Sequence, residues 1–176
     1  MRRREAIVAT CATALGACGY ALEGRGISVD PSIKKIGVPL FKDQTGKPGL
    51  DQKITDKVIE ELLRRGRFDV VQSATVVDAV VDGTLLTYHT QPIGFSRSDD
   101  GTRSEANRYV ALLTARVRYA KPDVAQPIWE SEGFTARDEY DIGEDAETYF
   151  DREEQAQDRM AVAFAKAVVA AMLEAF

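Results

Sequence analysis

Apolar and small residues recur with period two over residues 36–41, Ile-Gly-Val-Pro-Leu-Phe, the pattern of a strand with one buried face. Pro39 puts this strand near a sheet edge, because a proline cannot donate to a central ladder. Residues 43–49, with Gly46, Pro48 and Gly49, form a turn, and the period then becomes helical. Leu50, Ile54, Val58 and Leu62 recur at four-residue intervals, and Ile59 and Leu63 widen the stripe. Asp51, Lys53, Asp56, Lys57, Glu60, Glu61, Arg64 and Arg65 fill the other faces, and Gly66 stops the helix. Acids near its start and arginines at its end complement its dipole. Phe68-Asp69-Val70-Val71 follows as a second strand, and the resulting β-α-β unit places its strands side by side or nearly so in one sheet.

Three longer strands follow at 79–90, 109–120 and 128–140, rich in β-branched and aromatic residues. They read as an antiparallel meander. Pro92 and Gly94 end the first, and Lys121-Pro122-Asp123 with Gln126-Pro127 turn the chain before the last. An alanine-rich helix occupies 146–176 and covers the sheet beside the first helix. The chain has 176 residues, which suits one domain. The expected fold is α+β: a mixed, mostly antiparallel sheet of four to five strands with two helices packed on one face.

The N-terminus departs from this layout. Arg2, Arg3 and Arg4 precede a short apolar run, the arrangement of a secretory signal peptide, and the run is too short to span a bilayer. It closes on Leu15-Gly16-Ala17-Cys18, the form of a bacterial lipobox, whereas Cys11 lies too early to serve. The expected organisation is a signal peptide over 1–17, a lipidated tether over 18–31 beginning at Cys18, and one domain over 32–176. Cleavage before Cys18 takes basic residues from 23 to 20 and acidic ones from 28 to 27, so the net charge of −5 becomes −7. Several acyl chains on Cys18 make a durable anchor, since each buried CH₂ contributes about 0.8 kcal/mol.

Catalysis finds little support in these residues. His89 is the one histidine and reads as a partly exposed strand residue; with Cys11 removed and Cys18 acylated, no Cys/His pair and no metal-ligand spacing remains. The carboxylates at 138–145 read as a solvated loop. No enzyme activity, metal or cofactor is expected, and an acidic chain without a basic stripe is no nucleic-acid binder. The local basic feature is the hairpin 94–108, where Arg97, Arg103 and Arg108 face Asp99, Asp100 and Glu105. Guanidinium forks suit phosphate, so this hairpin is the candidate anion contact.

Cys18-Gly19-Tyr20, the stretch from Ile33 to Phe41, Pro48-Gly49-Leu50, the run from Glu60 to Val71 and Asp78-Ala79-Val80-Val81-Asp82-Gly83-Thr84 together resemble the lipopolysaccharide-assembly lipoprotein family, LptE. The resemblance covers the chain from Cys18 onward, and from Gln91 it lies in layout more than in residues. It implies a lipid-anchored protein on the periplasmic side of the outer membrane. It also implies a partner, the β-barrel LptD, which such lipoproteins plug, and contact with lipopolysaccharide, for which Arg97, Arg103 and Arg108 are the candidate residues. The strand-helix-strand opening is also similar to periplasmic lipoproteins that build secretion channels, as in the curli-secretion family, or activate cell-wall synthases.

Overall fold

Alternation of buried and exposed residues builds one sheet, and two amphipathic helices lie against its apolar face. The computed structural model describes residues 30–65, 67–97, 104–142 and 147–174. Cys18, Gly66 and Arg103 lie outside the described residues, as do the expected signal peptide and the tether up to residue 29.

The strands are β1 (Lys35–Gly37), β2 (Lys42–Asp43), β3 (Asp69–Val71), β4 (Ala79–Arg97), β5 (Ser104–Ala120) and β6 (Trp129–Asp141). Helix α1 (Leu50–Arg64) connects β2 to β3, and α2 (Glu147–Glu174) follows β6. The sheet order is β3-β1-β4-β5-β6, with β2 also paired to β4. β1 runs parallel to both its neighbours, Ile36 lying opposite Val70 on one side and Ala79 on the other. β4, β5 and β6 form the antiparallel meander. The α+β architecture with two helices is thus as the sequence implies.

Two prolines act differently from the expectation. The strand containing Pro39 was expected near an edge, but β1 is interior, between β3 and β4. It is interior because it stops at Gly37, before the proline needs to donate. Val38 N still donates to Val71 O at 2.8 Å, and past Pro39 the Phe41 N–H turns to Thr55 Oγ1 at 3.1 Å. Nor do Pro92 and Gly94 end β4. The strand continues to Arg97 because register shifts at Leu85/Thr87, Pro92/Gly94 and Gly94/Phe95 absorb the irregular positions.

Helix α1 follows Gly46 and Gly49, whose φ of 70° and 79° lies in the left-handed region that glycine enters without strain. Its stripe of Leu50, Ile54, Val58 and Leu62 is fully buried. Leu63, expected to widen that stripe, is 53% exposed, whereas Glu61 is buried on the helix between Arg64 and Arg65, which both bind its carboxylate. Helix α2 buries Met160, Phe164, Val168 and Met172 at four-residue intervals, and Ala156, Ala161 and Ala165 admit close packing. These faces meet Val81, Leu85, Leu113, Ala115, Val117 and Tyr119 of the sheet. Among the described residues, no helix is long and apolar enough to cross a membrane.

Candidate functional site

The helices cover only part of the meander. In β4 the buried positions Ala79, Val81, Gly83 and Leu85 give way to half-buried Tyr88 and Thr90, and from Gln91 the strand is largely exposed. Val110 and Tyr140 are the last buried residues of β5 and β6 toward the same end. Beyond them the paired strands project as a two-stranded hairpin.

An aromatic cluster closes the core where the hairpin begins. Tyr109 stacks on Tyr140 with centroids 5.8 Å apart, and Tyr149 of α2 meets both rings edge-on, at 5.6 Å and 6.2 Å. Phe150, 72% exposed, extends the cluster 5.5 Å from Tyr149. Burial, followed by the neighbouring Tyr149 hydroxyl, raises the Tyr140 phenol far above its ordinary pKa, so it stays neutral.

Beside this cluster lies a polar junction. The buried Glu153 of α2 accepts from Lys47 Nζ at 2.8 Å and from Tyr88 Oη at 2.9 Å, and Gln157 Nε2 donates to the Tyr88 hydroxyl at 3.3 Å. The Lys47 ammonium also stands 5.7 Å from the Tyr88 ring centroid. Burial raises the Glu153 carboxyl, but Lys47, Tyr88 and Gln157 outweigh it and hold the group below its ordinary value. Burial likewise raises the Tyr88 phenol. The junction ties the turn before α1 to β4 and α2, fixing the base from which the hairpin extends.

The hairpin itself is amphiphilic. Ile93 and Phe95 are 44% and 62% exposed, and Arg97 is exposed two residues further on, opposite Ser104. Among the described residues Arg97 has no ion-pair partner. Arg108 lies opposite Gly94, and its Nε donates to Asp141 Oδ1 at 2.7 Å, which raises the guanidinium pKa. A Cβ at Gly94 would stand 2.9 Å from Arg108 Cβ, so glycine there lets the strands close. The structure therefore brings Arg97 and Arg108 to one end of the molecule, with Arg108 already partnered. Sequence reasoning missed Ile93 and Phe95 because it ended the strand at Pro92, although their apolar character beside the arginines was the available signal.

His89 is exposed within β4 opposite Leu112. Among the described residues no group of His, Cys, Asp and Glu is arranged to hold a metal. A groove of about 240 Å³ separates α1 from α2, lined by Lys57, Glu61, Arg64 and Lys166 among others.

The family model for LptE, described as lipopolysaccharide-assembly, matches residues 33–172, which is most of the chain and all but a few of the described residues. The chain belongs to the LptE family. Membership carries a role in lipopolysaccharide assembly and the class of a non-enzymatic bacterial lipoprotein. Among curated proteins, none matches this LptE-family chain in sequence. Among solved structures, a protein from Xanthomonas campestris shares 10% identity at a TM-score of 0.54, covering 83% of this chain and 90% of its own. The PelC dodecamer from Paraburkholderia phytofirmans, at 10% identity and a TM-score of 0.51, covers 82% of this chain and 92% of its own. The rare lipoprotein B from Shewanella oneidensis shares 17% identity at a TM-score of 0.46, covering 77% and 92%. At these identities the likeness concerns the fold.

Proposed function

We propose that this chain is an outer-membrane lipoprotein, acylated at Cys18 and facing the periplasm, that acts with an LptD-like β-barrel to deliver lipopolysaccharide to the cell surface. The observation that carries the reading, within the family's role, is the projecting β4–β5 hairpin with Ile93, Phe95, Arg97 and Arg108 at one end. Apolar side chains next to guanidinium groups complement a molecule that joins acyl chains to phosphates. Arg97, Arg103 and Arg108 are the proposed lipopolysaccharide contacts. In an acidic domain, such an anion can approach only where basic side chains locally outweigh the overall field.

The test is isolation of the tagged full chain from detergent-solubilised outer membrane. One large β-barrel at equal stoichiometry is the expected companion. A ring of identical copies without a barrel would overturn the assignment in favour of a secretion-channel role; PelC, of similar fold, is described as a dodecamer.

A further inference from the structure

The end of the sheet opposite the projecting hairpin carries a strained, exposed apolar residue in the loop that leads into β4. Val76 has a φ of 58°, the left-handed region that a β-branched residue enters only with strain, and it is 88% exposed. Its loop is held on both sides. Ser73 Oγ lies 2.9 Å from Thr75 Oγ1, and the Asp78 carboxylate accepts the N–H groups of Lys34 at 2.9 Å and Lys35 at 2.8 Å. Strain of this kind persists only where its surroundings impose it, and here they hold a valine in solvent.

Around Val76 the fold gathers positive charge. Lys34 and Lys35 lie at the start of β1, and Asp69 N donates to Lys34 O at 2.8 Å, which brings the end of α1 to the same corner. Arg64, Arg65 and Arg67 are exposed there, and beside them Leu63 is 53% exposed. Two of the three acids at this corner are engaged: Glu61 is buried against Arg64 and Arg65, and Asp78 holds the two backbone N–H groups. Asp69 alone is exposed to solvent without such a role in the corner, so five cations outweigh the acids in a chain that is acidic overall.

The N-terminal segment enters the domain at this end as well. Asp30 accepts from Lys121 Nζ at 2.6 Å and from Ser32 N at 2.9 Å, and Ile33 N donates to its carbonyl at 3.0 Å. The chain from residue 18 to residue 29 can span at most about 40 Å, whereas β5 carries the hairpin roughly 50 Å the other way. A lipid on Cys18 therefore keeps this corner within reach of the bilayer. Contacts too weak to hold a free protein act together there, because the tether supplies the effective concentration.

We propose that this corner, Val76 and Leu63 with the surrounding lysines and arginines, settles on anionic phospholipid headgroups of the bilayer that holds the anchor; this rests on the acylation of Cys18 put forward under Proposed function. Apolar tips entering between headgroups, ringed by cations that meet phosphate, are the means by which a protein binds a lipid interface. The domain then stands on its tether end with the hairpin directed away from that surface.

Fluorescence quenching tests the contact. The full chain extracted from membranes is placed in vesicles of phosphatidylcholine and phosphatidylglycerol that carry a headgroup-linked quencher, with an environment-sensitive dye on Thr75→Cys or, in a second preparation, on Ser104→Cys of the hairpin. The dye at 75 should be quenched roughly twofold or more beyond the dye at 104, and the excess should shrink at high salt and on phosphatidylcholine alone. Val76→Asn, carried in the Thr75→Cys chain, suits the left-handed backbone, so it should melt at or above its parent yet lose much of the excess. An acylated chain whose two dyes are quenched alike, or whose excess is the same on phosphatidylcholine alone, overturns the contact and leaves the anchor standing. Retention of the full excess by Val76→Asn also overturns it. An intact mass without acyl groups overturns the anchor and the contact with it.

Discussion

Lys47 and Glu153, 106 residues apart in sequence, meet with Nζ 2.8 Å from Oε1, and Glu153 is buried where they do. A depressed carboxylate of this kind contributes stability above its unfolded pKa, and that stability is lost as pH falls through its folded pKa. Lys47→Met leaves the carboxylate buried without its cation and should cost on the order of 1–3 kcal/mol near neutral pH. The cost should shrink once the medium is acid enough to protonate Glu153, so melting curves at about pH 7 and about pH 3 give the check. A variant that melts with the wild type at neutral pH would remove the pair from the forces holding the hairpin's base.

Phe41 lies so close over Gly83 that a Cβ there would fall 2.3 Å from the ring. Phe41 is fully buried, so its ring can move only by displacing its neighbours in the core. Gly83→Ala should therefore destabilise the domain by about 1–3 kcal/mol through overpacking, read by denaturant unfolding of the domain lacking Cys18. An unchanged midpoint would show that this corner of the core is loose.

Leu62 sits with no exposed surface on the sheet-facing stripe of α1. Leu62→Ala should cost about 2–5 kcal/mol, and Val58→Ala somewhat less. Thermal melts that leave either variant at the wild-type temperature would mean that the stripe faces elsewhere.

Much of this stripe could be read in advance, because helical spacing is a local property of the chain. Leu50, Ile54, Val58 and Leu62, the parallel β1 and β3 about α1, and the β4–β5–β6 meander all follow the pattern of apolar residues. Partner choice over long distances is not local. The parallel pairing of β1 with β4 joins segments some 43 residues apart, and the Lys47–Glu153 contact joins a turn to the last helix, so neither leaves a periodic signal. Glu61 misled for a related reason: a carboxylate in a helix reads as solvated, but Arg64 and Arg65 neutralise it one turn on. At the candidate site the arginines are legible as composition, whereas Ile93 and Phe95 stay hidden because Pro92 reads as a strand end, although register shifts carry β4 past it.

The proposed lipopolysaccharide contact can be separated residue by residue. Arg97→Ala/Arg103→Ala/Arg108→Ala should remove most of the salt-sensitive part of binding by the purified protein. Among single changes Arg97→Ala should weaken binding more than Arg108→Ala, because Asp141 already engages Arg108. Equal binding by the triple variant and the wild type at low salt would eliminate the hairpin as the contact.

Acylation at Cys18 is read by the intact mass of the membrane-extracted protein. A chain that begins at Cys18 and carries added acyl groups is expected. A chain that retains Met1, or begins at Cys18 without lipid, would contradict the anchor.

Export itself tests the central claim most directly: pulse-labelled lipopolysaccharide is followed to the cell surface in cells depleted of this chain. Surface arrival should fall as the protein disappears, and restoring the full-length chain should recover it. Arrival at the wild-type rate in fully depleted cells would contradict a role in delivering lipopolysaccharide.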